Sequence, residues 1–119
     1  MILLVEDDVI TRSSFAQLLR ANGHEVVESG DGNEALVFLQ TLSIDLVVTD
    51  LVVPNVNGLN LVTRIHRRWP NMPIVLVSGY LSQHGGETIL GDRALFFQKP
   101  VRPSALVEAV RNLLPPTAH

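Results

Sequence analysis

The 119-residue sequence contains no cysteine and no long apolar run. Without cysteine the chain cannot form disulfides, thiolate metal sites or a cysteine nucleophile, and it suits a reducing compartment such as the cytoplasm, which is the location we expect. The longest apolar runs are four or five residues, whereas a helix needs about 20 apolar residues to span a bilayer. Acidic residues at positions 6–8 do not fit the basic start of a signal peptide. We therefore expect no membrane insertion.

Charged residues are also few. Nine Lys and Arg residues against twelve Asp and Glu residues give a net charge of -3, a field that repels phosphate backbones, so we expect no direct nucleic-acid binding. The low net charge, together with 46% hydrophobic residues, excludes a disordered chain. The length fits a single domain with one ordinary core.

Five short apolar runs recur along the chain and predict β-strands. Most of them lack the alternation of apolar and polar residues that marks a sheet with one wet face, which indicates strands covered on both faces. Helical patterns fill the gaps, and this alternation predicts an α/β domain with a doubly wound, five-stranded parallel sheet and helices on both faces. The runs are residues 2–5, 25–27, 46–48, 74–77 and 94–97.

Capping signals place the first two helices. Asp8 is the expected N-cap of the first helix, which ends near residues 22–23, where a glycine follows an asparagine. The second helix begins at Asp31, with Glu34 in the capping-box position. The first helix is expected to bury Ile10, Phe15, Leu18 and Leu19.

Proline and glycine residues delimit the later helices. A third helix follows Gly58 and ends before Pro70, and the last helix begins at Pro103. A short helix is expected within residues 81–91, where two adjacent glycines weaken the pattern. The third helix carries a small basic patch, for which a solvated face is the first interpretation and partner contact the second; its residues are Arg64, His66, Arg67 and Arg68.

Polar residues stand at the carboxyl ends of four predicted strands. Because ligands of doubly wound folds bind beyond these ends, we expect an acid cluster, a hydroxyl and an ammonium at one edge of the sheet. The residues are Glu6 and Asp7 after the first strand, Asp50 after the third, Ser78 after the fourth and Lys99 after the fifth.

This set of residues is complete for the transfer of a phosphoryl group to a carboxylate. Neighbouring carboxylates repel one another without a counter-charge, and oxygen ligands without His or Cys favour a hard cation such as Mg²⁺. Asp50 can attack phosphorus, and Ser78 can donate a hydrogen bond to a phosphoryl oxygen. Lys99 can neutralise a phosphoryl oxygen, or pair with Asp50 when no phosphate is present.

Four strings in the chain resemble the receiver domain of two-component response regulators. They are ILLVEDD at residues 2–8, DLVVTDLVVP at 45–54 with Asn57 and Gly58, VSG at 77–79 and QKP at 98–100. The resemblance covers nearly the whole chain, so we expect residues 1–119 to form one receiver domain. It implies a flavodoxin-like sheet of strand order 2-1-3-4-5 and a cis bond before Pro100.

The resemblance also implies a role for each site residue. Asp50 is the phosphoacceptor, Ser78 is the switch hydroxyl and Lys99 binds the phosphoryl group. Phe96 stands at the aromatic switch position and lacks the hydroxyl of a tyrosine, so any inward movement of this ring must be driven by packing. The implied Mg²⁺ ligands are Glu6, Asp7, Asp50 and the backbone carbonyl of Val52.

The function implied is a signalling switch rather than an enzyme. The domain would take its phosphoryl group from a histidine kinase or a histidine phosphotransfer protein and alter its contacts with a downstream effector or with a second copy in a homodimer. One alternative is a phosphatase or phosphotransferase with an aspartyl nucleophile, but Val52 stands where such enzymes carry a second aspartate. The other is a flavin-binding module, which the acidic first turn disfavours.

Overall fold

Five strands and four helices make up the described part of the chain, which comprises residues 1–50, 58–78 and 94–114 of a computed structural model, with residues 58–60, 78 and 94 described by their backbone alone. The strands are β1 (Ile2–Val5), β2 (Val26–Ser29), β3 (Leu46–Asp50), β4 (Ile74–Ser78) and β5 (Ala94–Gln98). The helices are α1 (Val9–Ala21), α2 (Gly32–Thr41), α3 (Gly58–Arg68) and α4 (Pro103–Leu113). The helix expected within residues 81–91 lies outside the described residues.

All strand pairs are parallel, and the sheet has the order β2-β1-β3-β4-β5. This confirms the predicted fold class and strand order. The chain builds the sheet outward in one direction from β1 to β2 and in the other from β3 to β5. The switch in direction therefore falls between β1 and β3, and a crevice at their carboxyl ends is the usual ligand site of such a sheet.

Alternate residues of the central strands face two separate apolar layers. Leu3 and Val5 of β1 pack in one layer with side chains of α2 and α3, whereas Ile2 and Leu4 pack in the other layer with α1 and α4. Burial of each such side chain contributes about 1.5–3 kcal/mol, so both faces of the sheet hold the strand ends in place. None of the helices in the described residues combines the length and apolar composition that a membrane crossing needs.

The predicted caps set the ends of α1 and α2. The Asp8 carboxylate accepts hydrogen bonds from the side-chain hydroxyl and the backbone amide of Thr11, and these bonds lower the pKa of Asp8 below its usual value. Asp31 accepts from the backbone amide of Glu34 at 3.0 Å. At the other end of α1, Gly23 adopts a φ of 90°, a conformation that residues with a side chain rarely adopt. Because Asp8 is the N-cap, helix α1 starts directly after the acidic residues 6–8.

The expected burial of Ile10 is wrong. Its side chain is 79% exposed, and that of Val9 is 64% exposed. Ile10 precedes the fully buried Leu19 by about two and a half helical turns, which places it on the opposite side of α1. Phe15 and Leu18 are half-buried and pack against the layer that α1 shares with α4.

Candidate functional site

The central strands bring two buried carboxylates to the same edge. Val5 pairs with Thr49 in the register of β1 and β3, so Glu6 and Asp50 are the next residues along their strands. Glu6 is 2% exposed and Asp50 is 8% exposed, while Asp7 lies on the surface. One carboxylate oxygen from each of the three residues lies within 4.8 Å of the other two.

Lys99 reaches this acid cluster from the end of β5. Its Nζ donates hydrogen bonds to Glu6 Oε1 at 2.5 Å and to Asp50 Oδ2 at 2.7 Å. The Lys99–Pro100 peptide bond is cis, as the sequence resemblance implies. The ammonium therefore bridges carboxylates from two different strands and supplies the counter-charge that they need.

Burial and ion pairing have opposite effects on the pKa values of Glu6 and Lys99. Burial raises the pKa of Glu6 above its ordinary value, although the hydrogen bond from Lys99 partly offsets it. Burial lowers the pKa of Lys99, but its hydrogen bonds to Asp50 and Glu6 outweigh this effect and leave the pKa raised. Lys99 is therefore a cation at neutral pH. No buried side-chain nitrogen or oxygen in the described residues lacks a hydrogen-bond partner.

The remaining predicted site residues are described less fully. Ser78 ends β4, where Val77 pairs with Asp50 and Ser78 pairs with Gln98, so its backbone lies at the same edge of the sheet; its side chain lies outside the described atoms. Val52 is outside the described residues. Phe96 is half-buried in β5 and packs against the layer formed with α2 and α3.

Arg12 is a residue of this region that the sequence analysis missed. Its guanidinium donates to the backbone carbonyl of Glu6 at 2.9 Å and lies 3.6 Å from a carboxylate oxygen of Glu28. A Cβ atom at Gly30 would stand 2.9 Å from the same guanidinium, so the glycine leaves room for it. The available signal was an arginine one turn after the cap Asp8, on the helix that follows the acid pair.

The donor set suits a hard divalent cation. The clustered ligands are carboxylate oxygens alone, which Mg²⁺ prefers, and Mg²⁺ keeps waters that a phosphate oxygen can displace. The exposed Asp7 leaves the cluster open to solvent on one side. Glu6, Asp7 and Asp50 can therefore hold such an ion.

Comparison with known proteins shows the family of this chain. A family model of the response regulator receiver domain matches residues 2–111. The chain belongs to the response regulator receiver family. Receiver domains are regulatory phosphoacceptors of two-component signalling that interact with histidine kinases and effector domains, and they usually bind Mg²⁺. Membership of this family favours the receiver interpretation over the phosphatase and flavin-binding alternatives.

Individual relatives support the same assignment of this receiver domain. The aerobic respiration control protein ArcA of Escherichia coli is 34% identical over 121 aligned positions, which cover 99% of this chain and 50% of ArcA. The sensor kinase CckA of Brucella abortus is 30% identical over 116 positions, which cover 95% of this chain and 12% of CckA. The chain thus spans half or less of the length of these curated relatives.

A solved receiver domain has the same fold. The crystal structure of the receiver domain of NtrX from Brucella abortus superposes with a TM-score of 0.87 at 27% identity, covering 96% of this chain and 98% of that one. A CheY-like receiver domain from Methanospirillum hungatei superposes with a TM-score of 0.86 at 29% identity, covering 93% of this chain and 90% of that one.

Proposed function

We propose that this receiver domain, residues 1–119, is a phosphorylation-dependent switch with Asp50 as its phosphoacceptor. The observation that carries the proposal is the contact of Lys99 Nζ with Asp50 Oδ2 at 2.7 Å and with Glu6, two buried carboxylates at the carboxyl ends of β3 and β1. A carboxylate held beside a fixed ammonium is arranged to receive a group whose oxygens carry negative charge.

The reaction proposed is direct transfer from a phosphohistidine. An oxygen of the Asp50 carboxylate attacks phosphorus, the bond between phosphorus and the imidazole nitrogen of the donor breaks, and its electron pair returns to that nitrogen. The product is an acyl phosphate on Asp50 and a histidine on the donor. Lys99 stabilises the charge on the transferred oxygens, and we assign the Ser78 hydroxyl as a donor to one of them.

Glu6, Asp7 and Asp50, with the backbone carbonyl of Val52, are the ligands that we propose for Mg²⁺. The ion supplies charge neutralisation at the phosphoryl oxygens during transfer. Lys99 lies beside the same ligands, with its Nζ in contact with carboxylate oxygens of both Glu6 and Asp50.

Incubation with acetyl phosphate and Mg²⁺ tests this proposal. We expect a covalent gain of one phosphoryl group, measured by intact-protein mass spectrometry, and a decrease in rate of at least about tenfold with excess chelator because phosphoryl charge is no longer neutralised. Restoring Mg²⁺ should restore the rate. Labelling that proceeds equally in chelator would contradict the proposed metal site.

Phosphorylation is proposed to change the surface that the domain presents to a downstream effector or to a second copy. Phe96, half-buried in β5, is the residue whose packing we expect to change on phosphorylation.

Turnover as an independent phosphatase is not part of this proposal, because Val52 supplies no second carboxylate for acid–base catalysis. We also propose a cytoplasmic location, which suits a chain without cysteine.

The exposed apolar start of α1 is the surface on which we expect the phosphohistidine donor to dock. Val9 and Ile10 directly follow Asp8, the residue after Asp7, and both are more than half exposed. Ile10→Asp should slow phosphotransfer from a phosphorylated histidine phosphotransfer protein by about tenfold, because it puts a charge into an apolar contact, while labelling by acetyl phosphate should stay unchanged.

An exposed valine on another helix provides the control for the Ile10→Asp experiment. Val37 of α2 is 55% exposed, so Val37→Asp makes a similar surface change away from the acid cluster and should leave phosphotransfer unaffected. Equal rates of transfer to the Ile10→Asp variant and to the unmodified domain would show that the donor docks elsewhere.

A further inference from the structure

The basic patch on α3 has no acidic partner within the described part of the chain. Arg64, Arg67 and Arg68 are exposed, and no carboxylate of the described residues pairs with any of them. Helix α3 itself contains no acidic residue. Three of the nine Lys and Arg residues of an acidic chain are therefore concentrated on one helix and pair with no carboxylate that the structure describes.

These arginines surround a cleft with an apolar floor. The cleft lies between α2 and α3 and has a volume of about 320 Å³. Trp69 is half-buried beneath Arg68, whose guanidinium carbon lies 5.4 Å from the centre of the indole ring. We call this surface the α2–α3 cleft; its lining residues are Leu36, Gln40, Arg64, Arg67, Arg68 and Trp69.

The surroundings of the α2–α3 cleft extend its apolar character. Val37, between the lining residues Leu36 and Gln40, is 55% exposed. A second cleft of about 500 Å³ adjoins it and shares Arg68 and Trp69. Asp45 lines that second cleft, and its carboxylate pairs with the amino group of Met1 at 2.6 Å. Among the described residues, Arg64, Arg67 and Arg68 are the cations of this surface that pair with no carboxylate.

The α2–α3 cleft lies at the end of the sheet opposite to the phosphoacceptor site. Trp69 follows α3 and belongs to the turn that leads into β4, and the backbone carbonyl of Pro73 accepts a hydrogen bond from Val47 near the start of β3. The acid cluster stands at the carboxyl ends of the same strands. A partner in the cleft would therefore leave Asp50 accessible.

We propose that the α2–α3 cleft binds an acidic protein segment that inserts an apolar side chain against Trp69. Guanidinium groups match carboxylates in a bidentate geometry, and Arg and Trp are the residues that most often dominate protein interfaces. The cleft admits only a few side chains. A nucleic acid needs a longer basic surface, and a chain with a net charge of -3 does not favour its binding. This binding does not depend on phosphorylation of Asp50.

The fluorescence of Trp69, the sole tryptophan of the chain, reports directly on this surface. The probe is a short synthetic peptide of glutamates with two leucines, and the matched control peptide has glutamine in place of each glutamate. We expect a saturable change in Trp69 emission with the glutamate peptide that weakens as salt is added, and no change with the glutamine peptide. Equal responses to both peptides, or no response to either, would overturn the proposal.

Charge reversal on α3 separates this surface from the rest of the molecule. Arg64→Glu combined with Arg67→Glu should weaken peptide binding by at least about tenfold. Arg111→Glu, an exposed arginine on α4 across the sheet, should leave binding unchanged. Arg64→Gln combined with Arg67→Gln should also weaken binding, which excludes a fault of folding caused by the new glutamates. Unchanged binding in the reversed variant would refute the assignment.

Two further measurements complete the test. Labelling of the α3 variants by acetyl phosphate should equal that of the unmodified domain, so a failure of peptide binding is distinguishable from a failure of the switch proposed above. A single-stranded oligonucleotide that binds the cleft more tightly than the glutamate peptide would show that the arginines serve nucleic acid, contrary to the proposal.

Discussion

Asp50→Asn should abolish covalent phosphoryl labelling by acetyl phosphate. The amide keeps the size of the side chain but removes the nucleophilic carboxylate, so we expect the rate to decrease by at least about 10³-fold, as is typical when an enzyme loses its nucleophile. Lys99 can still pair with Glu6, and the fold should therefore remain. The measurement is a time course of intact mass in the presence of Mg²⁺.

An aspartate near the other end of the same strand supplies the control. Asp45 immediately precedes β3 and its side chain is 54% exposed, so Asp45→Asn makes the same chemical change far from the acid cluster and should label as the unmodified domain does. Labelling of Asp50→Asn at the unmodified rate would show that a different residue accepts the phosphoryl group.

Lys99→Met should impair both transfer and stability. The side chain keeps its length but loses its charge, so the transferred oxygens lose one stabilising cation and labelling should slow by about 10²-fold. The Glu6 and Asp50 carboxylates also lose their counter-charge while remaining buried. Removal of one partner from a buried ion pair costs about 3 kcal/mol, and we expect a decrease in the free energy of unfolding of that order at neutral pH without Mg²⁺.

The pH dependence of this loss has a definite sign. The pKa of Glu6 is already raised in the folded protein, and Lys99 is a group that lowers it; without Lys99 it rises further. A carboxyl whose folded pKa exceeds its unfolded pKa binds protons more readily in the folded state, so the stability of the variant relative to the unmodified domain should recover as the pH falls through that raised pKa. Urea unfolding at neutral and at mildly acidic pH measures this difference.

Two variants complete the Lys99 experiment. Lys99→Arg restores the charge and should recover most of the stability. Arg20→Met removes a surface cation that pairs with Glu28 and is 48% exposed, so it should cost less than about 1 kcal/mol. If Lys99→Met and Arg20→Met unfold at the same urea concentration, the cluster does not need its lysine for stability.

The sequence alone was sufficient for the fold class, because local signals specify the elements. Asp8 and Asp31 cap helices where predicted, and the apolar runs form the strands of a parallel sheet. Carboxyl ends of parallel strands share one edge, so the acidic residues after β1 and at the end of β3 could be placed together from the sequence alone. Residues 51–57 and 79–93, which include Val52, lie outside the described structure, and their predicted roles stay predictions.

Tertiary structure decided what depends on residues far apart in the chain. The contact between Lys99 and Glu6 joins residues 93 positions apart. Lys99 reaches both Glu6 and Asp50 because β1, β3 and β5 end close together at one edge of the sheet, and no local pattern specifies this alignment. The same applies to Arg12 on the Glu6 carbonyl and to the exposure of Ile10. Amino-acid order alone specified the α/β class, the helix caps and the acidic strand ends, because these depend on neighbouring residues. The pairing of Lys99 with Asp50 was also expected from the sequence, but its second contact with Glu6, the contact of Arg12 and the exposure of Ile10 required the assembled fold, because they depend on how distant elements pack.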